Sequence, residues 1–213
     1  MKRFLVIALL VAAVVVTMVS IGRVVTPASG GDQSTIPVDT VDSRLQEKAD
    51  FALAFCKAKG FDTERCFLVD MKIHSGKNRF FVWDFNENKA VHSGLCCHGS
   101  GKGESTGSAP VFSNEEGSHC TSLGKYRIGE RSHSRYGINI HYKLHGLEPT
   151  NSNAYKRIVV LHSFDPVPAN EIYPLHLPMG FSLGCPVVSN SMMRNLDEYL
   201  KQTEKPVLLW IYY

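Results

Sequence analysis

The sequence predicts a mainly β domain of the α+β class, a sandwich or barrel-like sheet with peripheral helices. Three observations support this. Short segments rich in β-branched and aromatic residues recur along most of the chain. Turns containing glycine, asparagine or proline separate them. Only two segments after the amino-terminal region repeat their apolar residues at the helical period. The chain has 213 residues, 44% hydrophobic and 20% charged, which suits one compact domain.

The amino-terminal region differs in composition from the rest. An uncharged apolar run extends from Phe4 to Ile21 and follows Lys2 and Arg3. Basic residues before such a run keep the amino end in the cytoplasm and export the rest, so we expect the domain in the periplasm or cell envelope. The run is either cleaved off or retained as an inner-membrane anchor. The expected organisation is a signal peptide or signal-anchor helix, a flexible linker and one folded domain, over residues 1–28, 29–42 and 43–213.

An amphipathic helix is expected at the start of the domain. Ser43 and Gln46 have the spacing of a capping box, and apolar residues then recur at helical spacing until Gly60. A second helix is expected over residues 189–201, where the apolar residues have the same period. Both helices are interpreted as structural.

Strands account for most of the remaining chain. Residues 67–73 and 79–85 are expected to form a hairpin around the turn at Ser75–Asn78, and a third strand leads into Gly94. Further strands are expected over residues 125–128, 137–144, 157–161 and 206–213.

The segment Phe181–Val188 contains the strongest candidate for chemistry. Cys185 lies in it between Gly184 and Pro186, and His162 is expected at the end of an apolar strand. A cysteine is a nucleophile only as thiolate, so it needs a base or a positive environment. Cys185 and His162 are therefore predicted as nucleophile and base. The alternative interpretation is a buried structural thiol.

The residues around Cys185 predict how an oxyanion would be stabilised. Pro186 has no N–H, so the donors come from Leu183, Gly184 or Cys185, or from elsewhere in the fold. Gly184 allows the backbone to pass close to a substrate. Ser182 is expected to orient this turn by a hydrogen bond to its own backbone.

Two further assignments concern the base. His176, in the proline-rich segment between residues 163 and 181, is the rival base. His162 is preferred because a strand end holds a catalytic group more rigidly than such a loop does. The group that orients His162 is expected to be Ser163 or a backbone carbonyl.

The remaining cysteines favour disulfides, because the chain is expected to be exported. Excluding Cys185 leaves an odd number of them. The pairings considered are Cys56 with Cys66, and Cys120 with Cys96 or Cys97.

Other functions are disfavoured by the sequence. The net charge of +3 is scattered over the chain, which argues against nucleic acid as a partner. A phosphate loop around Lys102 fails, because Cys96 replaces its first glycine and Gly103 replaces its Ser or Thr. A zinc site at Cys96–His98 with His119 and Cys120 lacks the usual ligand spacing. We expect no metal and no cofactor.

The residues around Cys185 and His162 resemble the L,D-transpeptidase (YkuD-type) catalytic domain family, which remodels bacterial peptidoglycan. The similarity is greatest to the murein L,D-transpeptidase branch, in which proline follows the cysteine. It extends from about Phe67 to Tyr213 and includes residues 112–114, 122–126 and 154–157. In the commoner family pattern a glycine follows the histidine, where this chain has Ser163, and the residues after the cysteine also differ.

This resemblance implies a YkuD-like fold and a cysteine acyltransferase. Cys185 would form a thioester with a peptidoglycan stem tetrapeptide, release D-alanine and transfer the acyl group to an amine of another stem. Ser182 and Gly184 match the family motif. Arg157 and His176 are considered as loop contacts of the site. Two alternatives stay open: an exported Cys/His L,D-carboxypeptidase or other peptidase that uses water, and a non-catalytic wall-binding module.

Overall fold

In the part of the chain that the structure describes, the fold is a single eight-stranded sheet with two α-helices. The computed structural model describes residues 41–178 and 180–213. Its helices are α1 (Val41–Lys59) and α2 (Asn190–Gln202). Its strands are β1 (Arg65–Asp70), β2 (Phe80–Asp84), β3 (Lys89–Gly94), β4 (Gly124–His133), β5 (Ile140–Gly146), β6 (Val160–Ser163), β7 (Val187–Val188) and β8 (Leu208–Tyr212). The predicted mainly β class is confirmed.

The sheet curls toward a closed barrel. Its strand order is β3-β2-β1-β8-β4-β5-β6-β7, and the β1/β8 and β6/β7 pairs are parallel. Shortly after β3, Cys97 forms an antiparallel bridge with Val187 of β7, and its N–H donates to the Val187 carbonyl at 2.8 Å. The two edges of the sheet therefore meet, which agrees with the barrel-like expectation.

Each face of the sheet is covered by one helix. Alternate residues of the strands point to opposite faces, so neighbours such as Phe67 and Leu68 enter different cores. The core on one face includes Met192, Met193 and Leu196 of α2. The core on the other face includes four residues of α1: Leu45, Ala49, Ala52 and Cys56. Each fully buried leucine or phenylalanine contributes about 1.5–3 kcal/mol of transfer free energy.

The two helices differ in how well their starts were predicted. Ser189 is the N-cap of α2, and its hydroxyl accepts the Met192 N–H at 3.2 Å. The capping box at Ser43 and Gln46 is wrong, because Val41 and Asp42 are already helical. The predicted signal segment and most of the predicted linker, over residues 1–40, lie outside the described residues. Neither α1 nor α2 is long and apolar enough to cross a membrane.

The strand that carries His162 begins later than predicted. Ile158 has φ +57°, a left-handed conformation that extended backbone does not contain. The strand therefore begins at Val160 instead of residue 157, and His162 lies inside β6 instead of after it.

The six cysteines are free thiols, so the predicted disulfides are wrong. The Cys96 thiol donates to the carbonyl of Cys97 at 3.5 Å, and the Cys120 thiol donates to the carbonyl of Ser118 at 3.6 Å. Each of these sulfurs therefore faces a backbone oxygen. Cys56 and Cys66 lie in the apolar core under α1, also as thiols.

Candidate active site

The parallel pairing of β6 and β7 brings the predicted nucleophile and base together. His162 is the register partner of Val187, two residues after Cys185. The N–H of Val160, two residues before His162, donates to Cys185 Sγ at 3.5 Å. Cys185 and His162 line one cavity of about 320 Å³, together with Tyr136, Phe164, Gly180, Phe181, Ser182 and Leu183.

The turn before Cys185 is held by the Ser182 hydroxyl. It donates to the Cys185 carbonyl at 2.6 Å and accepts the Gly184 N–H at 3.0 Å. The prediction that Ser182 bonds its own backbone is therefore confirmed. The Gly184 N–H already donates to Ser182 within this turn, so it is not available to an oxyanion. Of the three N–H donors predicted near Cys185, those of Leu183 and Cys185 remain.

Gly184 is required by both its conformation and its surroundings. Its φ is +119°, which residues with a Cβ rarely adopt. A Cβ at this position would also lie 2.7 Å from the carbonyl oxygen of Cys120. The backbone of the nucleophile turn therefore packs directly on the segment around Cys120.

Two neighbouring segments donate hydrogen bonds to the carbonyl groups of this turn. The Ser100 N–H donates to the Ser182 carbonyl at 3.1 Å. The Thr121 hydroxyl donates to the Gly184 carbonyl at 3.2 Å and accepts the Gly99 N–H at 2.9 Å. The glycine- and serine-rich segment after Cys97 thus helps to hold the turn before Cys185, the predicted nucleophile.

His162 is oriented by a backbone carbonyl, one of the two expected alternatives. Its Nδ1 lies 2.9 Å from the Ser163 carbonyl oxygen, which only accepts, so Nδ1 carries the proton and Nε2 is free to act as a base. The side chain is 8% exposed, and burial lowers the pKa of His162 below its usual 6.5. The Ser163 hydroxyl accepts the Ile138 N–H at 3.1 Å, so it supports the next loop instead.

Cys185 is partly exposed, and its environment is electrostatically mixed. Burial raises the pKa of its thiol above 9.0, while the Val160 N–H and the Arg157 charge act in the opposite direction. With the His162 pKa lowered, the resting pair is a neutral thiol and a neutral imidazole. This arrangement suits proton transfer from sulfur to His162 during attack, instead of a preformed ion pair.

The other predicted site residues lie at the rim of the cavity or outside it. Leu183 is 61% exposed at the rim of the cavity. Arg157 lies behind the nucleophile turn, where its Nη2 donates to the Cys120 carbonyl at 2.7 Å. His176 does not line the cavity, since its Nδ1 is 2.8 Å from the Ser75 hydroxyl and its ring stacks on His74 at 3.7 Å. The structure therefore favours His162 over His176 as the base.

Three aromatic residues of the cavity were not predicted from the sequence. The Tyr136 ring lies 5.7 Å from the ring of His162 and also 5.7 Å from Phe164. Phe164 in turn contacts Phe181 at 5.3 Å. Val167 and Leu177 anchor the loop between these two phenylalanines in a small core. Tyr136 lies in a turn without a periodic pattern, so the sequence contains no signal for its position.

The described residues form no cluster of metal ligands at the site. Among residues 41–178 and 180–213, no three His, Cys, Asp or Glu side chains are grouped as metal ligands. His98, part of the zinc alternative, accepts from Arg79 Nη2 through Nδ1 at 2.8 Å and donates from Nε2 to the Thr106 carbonyl at 3.0 Å. Both of its ring nitrogens are therefore used within the protein.

Comparison with known proteins identifies the family. The model of the L,D-transpeptidase catalytic domain family, YkuD_2, matches residues 38–212, so the chain belongs to this family. No curated protein matches the sequence.

Solved structures similar to this chain are distant in sequence. A variant of the helical cell shape determining protein Pgp2 from Campylobacter jejuni is 13% identical with a TM-score of 0.45; the alignment covers 78% of this chain and 55% of Pgp2. An L,D-transpeptidase from Xylanimonas cellulosilytica is 11% identical with a TM-score of 0.41, over 75% of this chain and 68% of that one. The chain thus spans about half the length of the Pgp2 chain.

Proposed function

We propose that this protein is a cysteine-dependent L,D-transpeptidase that acts on peptidoglycan stem peptides in the cell envelope. The observation that carries the proposal is the shared cavity of Cys185 and His162, in which the histidine has its Nε2 free. Family membership supports the same reaction class. The function needs no cofactor, because thiol, imidazole and backbone N–H groups supply the chemistry.

The reaction begins with proton transfer. His162 Nε2 takes the proton of the Cys185 thiol as sulfur attacks the carbonyl carbon of the donor peptide, and the carbonyl electron pair moves to oxygen. The N–H groups of Leu183 and Cys185 are the proposed donors to this oxyanion. Collapse of the intermediate breaks the C–N bond, and His162 returns the proton to the departing D-alanine amine. A thioester on Cys185 remains.

The second half of the reaction resolves the thioester. An amine from another stem peptide gives its proton to His162 while attacking the thioester carbon. The sulfur leaves and recovers a proton from His162, which completes the cycle. The same site takes water as the acceptor if water reaches the thioester first, and the partial exposure of Cys185 favours that second candidate, an L,D-carboxypeptidase.

Product analysis tests the proposal and separates the candidates. Purified protein is incubated with disaccharide tetrapeptides, and the products are resolved by liquid chromatography and mass spectrometry. Cross-linked dimers together with released D-alanine support transpeptidation, whereas trimmed monomers alone support hydrolysis. No change in the substrate, with Cys185 reduced and the protein folded, would favour a non-catalytic wall-binding module and contradict the proposal.

A further inference from the structure

The Arg157 guanidinium is fixed by four oxygen atoms behind the nucleophile turn. Nη1 donates to the Ser113 carbonyl at 3.0 Å and the Ser122 hydroxyl at 2.6 Å. Nη2 donates to the Ser118 hydroxyl at 3.2 Å and the Cys120 carbonyl at 2.7 Å. These four bonds use every Nη hydrogen, so the fork has a defined position and none of these hydrogens remains for a substrate carboxylate.

The positive charge of Arg157 has no acidic partner among the described residues. All four of its acceptors are uncharged, and no ion pair of the described chain includes it. The adjacent Lys156 differs, since it pairs with Glu116 at 2.5 Å and is exposed. A guanidinium that is partly buried without a counterion acts on the ionisable groups nearest to it.

Cys185 is such a group. Arg157 Nη2 would lie only 3.2 Å from a Cβ placed on Gly184, the residue directly before Cys185. His162 and Tyr126 also face the Cys185 environment. Burial lowers the pKa of His162 and raises that of Tyr126, so both are uncharged at neutral pH. Of these three groups, only Arg157 is charged there.

We propose that Arg157 is a positioning residue for the reaction, whose unpaired charge stabilises the negative charge that forms on Cys185. The inference rests on the proposed function and adds to it a residue that does not touch substrate. Arg157 also helps to hold the turn before Cys185 through the neighbouring segment Cys120–Thr121. Its guanidinium donates to the Cys120 carbonyl, and the Thr121 hydroxyl donates to the Gly184 carbonyl. The charge and the hydrogen bonds can be separated by substitution.

The experiment measures alkylation of Cys185 by iodoacetamide between pH 7 and pH 9 on the folded protein. The modified cysteine is identified by peptide mapping, since the five other thiols are buried. In Arg157→Gln, we expect alkylation at a fixed pH to slow about tenfold, because the charge that favours the thiolate is lost. Arg157→Lys keeps the charge but loses part of the hydrogen-bonded fork, so alkylation should slow clearly less in this variant than in Arg157→Gln. Lys156→Gln is the matched control and should react like wild type.

Two results would overturn the inference. One is a folded Arg157→Gln variant with the wild-type pH dependence. The other is equal slowing in Arg157→Gln and Arg157→Lys, which would mean that the hydrogen bonds matter and the charge does not. If Arg157→Gln fails to fold, Ser122→Ala removes one acceptor and keeps the charge; an altered pH dependence in that variant would also contradict the inference.

The same samples separate this inference from the proposed function. If wild-type protein gives no muropeptide product while the alkylation shift is present, the proposed function fails and the role of the Arg157 charge stands. If products form and the shift is absent, the proposed function stands and the role of the charge fails.

Discussion

The thiols under α1 and the thiol at the β6/β7 end differ in their polar surroundings. Under α1, Cys56 and Cys66 lie in an apolar core. Burial, and then the nearby Asp62 carboxylate, raises the pKa of Cys56 to about 12, and burial raises that of Cys66 well above its usual range. At the β6/β7 end, burial also raises the pKa of Cys185, but a backbone N–H and the positive charge of Arg157 oppose it.

This comparison shows that being a cysteine does not by itself make a residue nucleophilic; the surroundings of the thiol decide. A thiolate needs hydrogen-bond donors, positive charge and access, and the α1 face offers none of these to its thiols. The β6/β7 end supplies a donor from Val160, the imidazole of the proposed base His162 and a cavity that both side chains line. Substitutions in the two environments and changes of pH test this difference.

Loss of the Cys185 thiol should have the largest effect. We expect Cys185→Ala to reduce muropeptide turnover at least about 1000-fold, because the thioester cannot form. Cys66→Ala is the matched control from the other environment and should keep activity within about twofold per folded molecule. Turnover rates of both variants, normalised to the folded fraction, provide the check. Similar losses in the two variants would contradict the comparison.

Removal of the base should have the next largest effect. His162→Gln should lower kcat/KM by about 100-fold or more, because the thiol loses its proton acceptor. His176→Gln, outside the cavity, should have little effect. In wild type, His162 is active in its neutral form and its pKa is lowered, so the acid limb of the kcat/KM profile should lie below pH 6.5. An acid limb clearly above 6.5 would contradict the role of His162.

A Cβ on Gly184 should destabilise the nucleophile turn. Gly184→Ala combines positive-φ strain with a contact of 2.7 Å to a backbone oxygen, so we expect a loss of about 2–4 kcal/mol in unfolding free energy. Gly103→Ala is the control, since Gly103 has φ +97° with no atom within 4 Å of the added Cβ. It should cost about 1 kcal/mol. Urea denaturation measures both values, and equal losses would show that the close packing at Gly184 is unimportant.

The folded domain should lose stability in acid through protonation of His98. Burial and then the Arg79 charge lower the pKa of His98 to about 4, because Nδ1 accepts from that guanidinium. The unfolded chain therefore binds the proton more tightly, and stability falls as the pH drops from 6.5 toward 4. We expect a loss of about 2 kcal/mol between pH 7 and pH 5, and a smaller one in His98→Gln. Identical pH profiles of unfolding free energy in the two proteins would contradict this.

The sequence predicted the general fold better than the local details. Hydrophobic period and turn residues were sufficient for the mainly β class and for α2, whose N-cap Ser189 is visible in the sequence. The pairing of Cys185 with His162 was also predictable, because both occur in recognisable local patterns. The positive φ of Ile158 was not, since nothing in an apolar run signals a left-handed residue.

The aromatic residues that line the cavity could not be predicted from the sequence, because their positions depend on the tertiary structure. The Tyr136 ring lies near His162 in the loop before β5, and the Ile138 N–H attaches this loop to the Ser163 hydroxyl. The free thiols were missed for a different reason: the number and compartment of cysteines suggest disulfides, while the direction of each sulfur depends on the fold.

The proposed mechanism requires that Cys185 form a covalent acyl intermediate with the help of His162. Intact-mass spectrometry after exposure of the folded protein to a carbapenem, a strained cyclic amide, tests it most directly. We expect a single adduct on wild type that maps to Cys185, slower formation in His162→Gln and no adduct in Cys185→Ala. No adduct on the reduced, folded wild-type protein, or an undiminished adduct in Cys185→Ala, would contradict it.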